Sequence, residues 1–511
     1  MNEGDNTATT WYEATQVASP ARGRLGHDID VDVCVIGAGL AGLTVAREVA
    51  MRGWSVAVLE GRRVAHAASG RNTGFVLPGF SEGIDDMIER IGLDHTKQLW
   101  ALSEQGLDYV RRTIEETGMP GVDPVPGWLH VYQTDRADEI RAYVERLRWI
   151  GANAEMWPTE RVRERLVNSR YFNAVHFRNA FHIHPLNYAL GLAAAAEAAG
   201  VRIFEDTPAL AVDPAGVRKR IVTPGGRVRA GSLVLAGNVQ LGALMPEISA
   251  TLVPVNTFVM VTEPLGPQLQ ELVRYRGAVS DTDRADNHYR IVGDNRLQWS
   301  GRMRAWQADP RRFEKGLIAD IARNFPALGP VEAAYLWRGT LGRTVHRMPQ
   351  VGEISPGVWL ASGFGGHGLN TTAMGGELVA RGIVDRDQTW RLFAPYELVW
   401  AGGLAGSVLA QGLYWGRTPA VRIAQGLARY RERHRTAKLE RPSVLAEAMP
   451  EIPTVPAQSE PAAVSVAEAV PEKTTPSEES QAARAERRRL LKKQRKEKRK
   501  PGKAKEVGNA S

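Results

Sequence analysis

The sequence predicts an α/β chain built around a Rossmann-like dinucleotide-binding unit, with a second sheet of a different style and a disordered basic tail. Three observations carry that reading. A glycine-rich turn sits between an apolar strand and a helix, and an acidic residue ends the following strand. Strand-like and helix-like segments alternate along the body. Composition then changes near Arg441 of the 511 residues. At 43% hydrophobic and 24% charged, the chain is long enough to bury two substantial cores.

In chain order, Val31–Ile36 reads as an apolar strand, Leu40–Arg52 as a helix stopped by Gly53, and Ser55–Leu59 as a second strand, one compact βαβ unit. Gln98–Glu116 places Leu99, Ser103, Leu107, Val110 and Ile114 at near-helical spacing. Pro185–Ala199 is an alanine-rich helix, followed by strands Val201–Phe204 and Leu233–Ala236. Thr251–Thr262, Tyr289–Val292 and Leu297–Ser300 are strands of a different sheet, and Gly357–Ala361 is a last short strand before a glycine turn and a helix.

The net charge of +8 is unevenly spread. Residues 484–511 carry 13 Lys/Arg against three Glu, and 451–483 carry six Glu against one Lys, which leaves +3 for the first 450 residues. The basic character therefore belongs to the tail and not to a nucleic-acid-binding face on the body. The tail, 441–511, is rich in Pro, Ala, Ser and Glu before its basic block and lacks the apolar residues to offset the entropy of ordering. A solvated tail, or one that contacts anionic lipid, nucleic acid or an acidic protein, fits that composition. Leu398–Gly416 has no charged residue over 19 positions, but five Gly, one Ser and one Gln leave it weakly apolar, so a helix on the body or at an interface is expected instead of a span. The single cysteine, Cys34, excludes a disulfide framework and cysteine-rich metal sites and goes with a cytoplasmic location. It is read as a small buried hydrophobe of the first strand.

The strongest motif is Gly37-Ala38-Gly39-Leu40-Ala41-Gly42 between strand and helix, with Glu60 closing the next strand 18 residues past the third glycine. That context makes a dinucleotide fingerprint: Gly37 for the tight turn, Gly39 for approach to a pyrophosphate, Gly42 for helix–strand packing, and Glu60 to accept from ribose hydroxyls. Gly61 and Arg62 follow it. A second small, polar loop, Ala67-Ala68-Ser69-Gly70-Arg71-Asn72-Thr73-Gly74, comes directly after that strand, and Gly357–Gly376 (GVWLASGFGGHGLNTTAMGG) brings a second glycine turn to a helix start. A helix N-terminus there would stabilise negative charge.

These three motifs, in this order, resemble the FAD-dependent amine oxidoreductases of the D-amino-acid oxidase, glycine oxidase and sarcosine oxidase superfamily. The A-S-G-R-N-x-G loop and Trp337–Val351 (WRGTLGRTVHRMPQV) before the GHG turn look most like the gamma-glutamylputrescine oxidoreductase branch. The resemblance covers about 10–395. It implies an FAD domain from 31–95, 170–250 and 330–390, a substrate domain with a mainly antiparallel sheet from 96–169 and 251–329, an N-terminal extension 1–30 and a C-terminal helical segment 391–440. It also implies oxidation of the C–N bond of a primary or secondary amine by hydride transfer to the flavin, imine hydrolysis, and reoxidation by O2 or another acceptor. FAD contacts are expected from Gly37, Gly39, Leu40, Ala41, Gly42, Glu60, Gly61, Arg62, Ser69, Arg71, Asn72, Gly74, Gly363, Gly365, Gly366, Gly368 and Leu369.

For catalysis the expectations are His367 in the GHG turn, Asn370 and Arg302. His367 reads either as an active-site group or as a turn cap. Asn370 stands where sarcosine-oxidase-type members carry a lysine that helps bind the substrate carboxylate, so a neutral amide there disfavours simple α-amino acids. Arg302, after the strand LQWSG, is a candidate to face substrate, although arginines on hairpins are commonly exposed. Non-covalent FAD is expected, because the family's tethering cysteine has no counterpart in Trp337–Met348; His66 is the other tether to weigh. No metal set is read: His182 and His184 in FHIHP would share a strand face but lack a third ligand. Two other functions fit the same residues, a membrane-associated dehydrogenase reducing quinone and a non-catalytic dinucleotide-binding scaffold with a recruiting tail.

Overall fold

A computed structural model describes residues 9–282, 287–304 and 308–401. The expectations for the tail 441–511, for most of Leu398–Gly416 and for the rest of 391–440 lie outside these residues. The described part of that last stretch, 391–401, holds only the end of a 3-10 turn, Thr389–Phe393.

The first sheet has eight strands in the order Gln350–Ser355, Val358–Ser362, Arg227–Leu235, Ile29–Ile36, Val56–Leu59 and Arg202–Phe204, with the hairpin Ala211–Asp213 and Lys219–Val222 joined to Arg227–Leu235. The run from Arg202–Phe204 to Val358–Ser362 is parallel, and Gln350–Ser355 pairs antiparallel at the edge. A central parallel strand is covered on both faces and so reads as a nearly continuous apolar run. In the first strand Val33 and Val35 face one core, and Cys34 and Ile36 the other. Helices Leu40–Met51, Leu93–Thr117, Pro185–Ala198 and Gly368–Val384 build the first of these cores; the turn Asn238–Leu244 closes the second.

The second sheet runs Ala333–Arg343, Val253–Thr262, Arg296–Arg304, His288–Val292, Ala278–Asp281, Val125–Val131, Ala174–His182 and Phe75–Val76, with Ala154–Trp157 beside Ala174–His182. All its pairings are antiparallel except Ala278–Asp281 with Val125–Val131. Alternate residues point to opposite faces. Leu129, Val279, Tyr289, Trp299 and Met260 make one face, packed on helix Arg311–Asn324 through Leu317 and Ile321. Tyr289 and Trp299 stack there at 4.6 Å.

Several expectations change. Each segment given to the FAD domain lends a strand to the second sheet: Phe75–Val76, Ala174–His182 and Ala333–Arg343. Helix Leu93–Thr117, given to the substrate domain, turns Leu99, Leu102, Leu107 and Val110 into the first core. It begins five residues before the expected start and ends at Gly118, which is left-handed (φ +60°) and donates to Ile114 O. The loop 67–74 contains one helical turn, Ala68–Arg71. His182 ends a strand while His184 caps the helix Pro185–Ala198, so the two do not share a strand face.

Candidate functional site

Two helices begin at the carboxyl edge of the first sheet, where open α/β sheets bind ligands. At the first, Gly37 has φ +106°, and a Cβ on it would lie 2.9 Å from Ala236 O. A Cβ on Gly42 would lie 2.0 Å from Gly37 O, so the helix sits against its own turn. Glu60 accepts from Ala38 N–H (2.8 Å) and Arg62 N–H (2.9 Å), and Gly61 N–H also bonds it. Burial nevertheless holds its pKa above the ordinary carboxylate value. Leu40 N–H donates to Ser69 Oγ at 3.0 Å, and a Cβ on Gly39 would fall 2.9 Å from that oxygen. The loop is self-bonded: Asn72 Nδ2 donates to Ser69 O (2.8 Å) and Asn72 Oδ1 accepts from Gly74 N–H (2.8 Å). Arg71 pairs with Glu13 at 3.1 Å, and Arg71 O accepts from the fully buried Trp337 indole. Ala41 faces the second helix, where a Cβ on Gly376 would meet Ala41 O at 3.1 Å and Thr44 Cβ at 2.6 Å.

The second turn has Gly363 and Gly365 at φ +67° and +62°. Gly366 N–H donates to Ser81 Oγ at 2.8 Å, and His367 is the N-cap of Gly368–Val384 with no side chain capping the first turn. Leu369 anchors that turn in the core. The His367 imidazole donates from Nδ1 to Pro78 O (3.1 Å), which leaves Nε2 as the acceptor. Burial takes its pKa down to about 4, so it is neutral at pH 7.

His367 meets the edge of Trp128, 6.4 Å between centroids. Trp128 stacks on Phe177 at 4.8 Å and donates from Nε1 to Ser280 Oγ (2.9 Å), which bonds His288 Nδ1 at 2.7 Å. The sheet registers Trp128 with Phe177 and Ala278, and His130 with Ser280, itself opposite His288. This second face is therefore aromatic and polar where the first is apolar. Sequence reading missed it; the alternation in VPGWLHV, which sets Trp128 and His130 on one side, is the signal available.

Two expected substrate contacts are engaged elsewhere. Arg302 Nε and Nη2 bond both oxygens of Asp320 at 2.7 and 2.8 Å, and Nη2 also bonds Gly316 O, so its fork is committed to a helix. Asn370 is fully buried and donates to Gly79 O (3.2 Å) and Ser103 O (3.4 Å), tying the helix start to Pro78–Gly79. Arg290, also buried, donates to Ile183 O, His182 Nδ1, Tyr12 Oη and Gln298 Oε1 at 2.7–3.3 Å. His66 Nε2 lies 3.4 Å from Arg62 Nη1, and the Cys34 thiol is buried with its pKa pushed up to about 12.

Residues 32–381 match the family described as FAD dependent oxidoreductase. The chain belongs to that family. It is 33% identical over 374 residues to a probable oxidoreductase OrdL of Haemophilus influenzae, covering 71% of this chain and 85% of the relative. It is 31% identical over 390 residues to a gamma-glutamylputrescine oxidoreductase of Escherichia coli, covering 74% and 90%. A glycine oxidase from Geobacillus kaustophilus shares the fold at a TM-score of 0.61 and 21% identity, over 72% of this chain and 98% of that one. As an FAD-dependent oxidoreductase of this family, the chain is an enzyme. The first turn fits the group: its N-cap, Gly39, has no side chain to cap the helix, a Cβ there would crowd the approach at Ser69 Oγ, and a carboxylate ends the adjacent strand. Among the described residues no helix is long and apolar enough to cross a membrane.

Proposed function

We propose that this FAD-dependent oxidoreductase oxidises the C–N bond of a primary or secondary amine whose carboxylate is absent or remote from the reacting carbon. The observation that carries the reading is that Arg302, the expected substrate contact, Asn370, which stands where relatives carry a carboxylate-binding lysine, and the buried Arg290 are all engaged within the fold. Arg302 is held by Asp320, Arg290 by four neutral acceptors, and Asn370 by two carbonyls. What remains beside His367 is Trp128, Phe177, Ser280 and His288, a wall suited to the apolar chain of an amine.

Gly37, Gly39, Gly42, Glu60 and the 67–74 loop would hold the dinucleotide part of FAD, and the turn 363–369 would face its ring system. When bound, FAD accepts a hydride from the carbon bearing the amine and returns its electrons to O2 or another acceptor. The neutral His367 does not repel an incoming ammonium, and its Nε2 can accept a hydrogen bond from the amine N–H and so orient the nitrogen lone pair. Trp128 and Phe177 shield the reacting carbon from water. Non-covalent attachment is supported by a lone thiol buried in the first strand, and a single reduced cysteine accords with a cytoplasmic enzyme.

The test is anaerobic flavin bleaching with polyamines, γ-glutamylated amines, N-methyl amino acids and D-amino acids. Faster bleaching by γ-glutamylputrescine than by sarcosine, glycine or D-alanine is expected; a simple amino acid as the best substrate overturns the reading. Hydrogen peroxide formed in air tests O2 as the acceptor, and flavin released into an acid supernatant tests non-covalent binding.

A further inference from the structure

Arg290, on strand His288–Val292, brings a permanent positive charge into the interior, with 3% of its surface exposed. Its partners are Ile183 O (2.7 Å), His182 Nδ1 (2.8 Å), Tyr12 Oη (3.1 Å) and Gln298 Oε1 (3.3 Å), and none is anionic. Burial brings the His182 pKa down to about 3 and lifts that of Tyr12 above its ordinary value, so both rings are neutral at pH 7. Arg290 Nε is buried and donates to nothing in the fold. The other arginines buried to a similar degree among the described residues, Arg22 and Arg47, each pair with a glutamate at 2.8 Å. A charge held in the interior is costly unless an opposite charge is brought to it. The hydrogen bonds of Arg290 are largely engaged, but its charge is not neutralised.

Its position points to the missing charge. A Cβ on Gly74 would lie 2.7 Å from Arg290 Nη2, and Gln298, opposite Arg290 in the sheet, donates from Nε2 to Thr73 O at 2.9 Å. Thr73 and Gly74 end the 67–74 loop. Near its start, Ser69 accepts from Leu40 N–H at the first helix start. Beyond its end the chain runs through Phe75–Val76 to Pro78 and Gly79, which hold His367 and Asn370 of the second helix start. A cofactor laid across both starts follows this stretch. His288, two residues before Arg290 and so on the same face of the sheet, bonds Ser280 in the wall beside His367. Arg290 stands where the loop meets that wall.

The ring of an oxidised flavin is neutral. On taking up a hydride, two electrons and one proton, it gains one negative charge. We propose that Arg290 is the built-in counter-charge to the reduced flavin, held in place by Tyr12, Gln298 and Ile183 so that reduction brings the interior the anion it lacks. A charge fixed before the reaction favours the reduced ring over the oxidised one without reorganising during it. The inference uses the family's cofactor and does not depend on which substrate supplies the hydride.

Two measurements on the flavin-loaded enzyme test it, neither of which needs a substrate. One is the two-electron potential of the flavin against a reference dye. The other is titration with inorganic sulfite, whose sulfur bonds to flavin N5 and leaves the same negative charge on the ring. In the unmodified enzyme the potential should lie above that of free FAD. Arg290→Gln should weaken sulfite binding about tenfold and lower the potential by about 30 mV, the same factor for a two-electron couple. Arg290→Lys, which keeps the charge, should stay close to the unmodified enzyme in both. Gln298→Glu leaves Arg290 in place and gives it a carboxylate partner, so it should reproduce the drop, and it decides if Arg290→Gln comes without flavin. If neither variant retains flavin, the potential of the unmodified enzyme decides alone. A potential at or below that of free FAD overturns the proposal. So does a flavin-loaded Arg290→Gln that matches the unmodified enzyme, or an Arg290→Lys that falls as far as Arg290→Gln, which would make Arg290 a clamp on the loop.

Discussion

The two helix starts at the edge of the first sheet look alike and are built on opposite tolerances. Each follows a glycine turn after a parallel strand, and neither N-cap residue supplies a capping side chain. At the first, a Cβ on Gly42 would overlap Gly37 O at 2.0 Å; at the second, a Cβ on Gly368 would meet nothing within 4 Å. The first is a backbone mould set by close packing, with Glu60 and Ser69 accepting from its amides. The second is held by side chains, with Ser81 on Gly366, Pro78 on His367 and Gly79 on Asn370. A phosphate group is common to every dinucleotide and suits a fixed mould; a substrate differs between family members and suits a start whose surroundings can be changed one side chain at a time.

The largest break in the comparison should come from Gly42→Val. With the helix unable to sit against its turn, soluble flavin-bound protein is expected to disappear, read as the ratio of flavin to protein absorbance. Glu60→Ala should come next. It removes a carboxylate that receives three backbone N–H groups and faces the proposed ribose site, so FAD affinity of the apoprotein should fall by about 1.5–3 kcal/mol, measured by flavin fluorescence titration.

Acid offers a third probe, through two histidines that stand at helix N-cap positions with opposite ring assignments. His184 Nδ1 accepts from Asn187 N–H, whereas His367 Nδ1 donates to Pro78 O. Burial brings both pKa values down to about 4, and that of His182 to about 3. Unfolded chains take up protons on such rings near pH 6.5, well above these folded values. Stability is therefore present in full above about pH 6.5 and is lost as pH falls toward 4. The melting temperature should drop across that window, and His184→Asn, which keeps an N-cap acceptor, should flatten the drop. By the same sign, His367 stays neutral from pH 6 to 9, so kcat/KM should show no inflection from it there. The smallest effect on stability belongs to Gly368→Ala, where no protein atom lies within 4 Å of an added Cβ: the melting temperature should shift by no more than a few degrees, and any loss of flavin would mark that space as part of the proposed ring site.

The contrast also explains what could be read from residues alone. Gly37, Gly39, Gly42 and Glu60 act through one contiguous stretch of backbone, so spacing reveals them. His367 was visible because it interrupts a glycine run. Trp128, Ser280 and His288 meet only after strands some 150 residues apart in the chain are paired, and no local pattern reports that pairing. Arg302 finds its partner in the same non-local way: Asp320, which holds it, lies on a helix 18 residues on. Asn370 stands out beside the glycine turn, but its partners, Gly79 and Ser103, lie 291 and 267 positions earlier and make it a tether.

Tyr12 lies fully buried with its hydroxyl on Gln298 and Arg290, residues nearly three hundred positions later. Glu13 beside it holds Arg71 of the 67–74 loop. On the ribosome, that seat does not exist until the strand Arg296–Arg304 has emerged. At roughly 5–20 residues per second, the wait is about 15–60 s. The amino-terminal segment is made first and docks late, so a nascent chain must carry Trp11 and Tyr12 uncovered through most of its synthesis, and a fusion partner placed there would compete with closure of the first core.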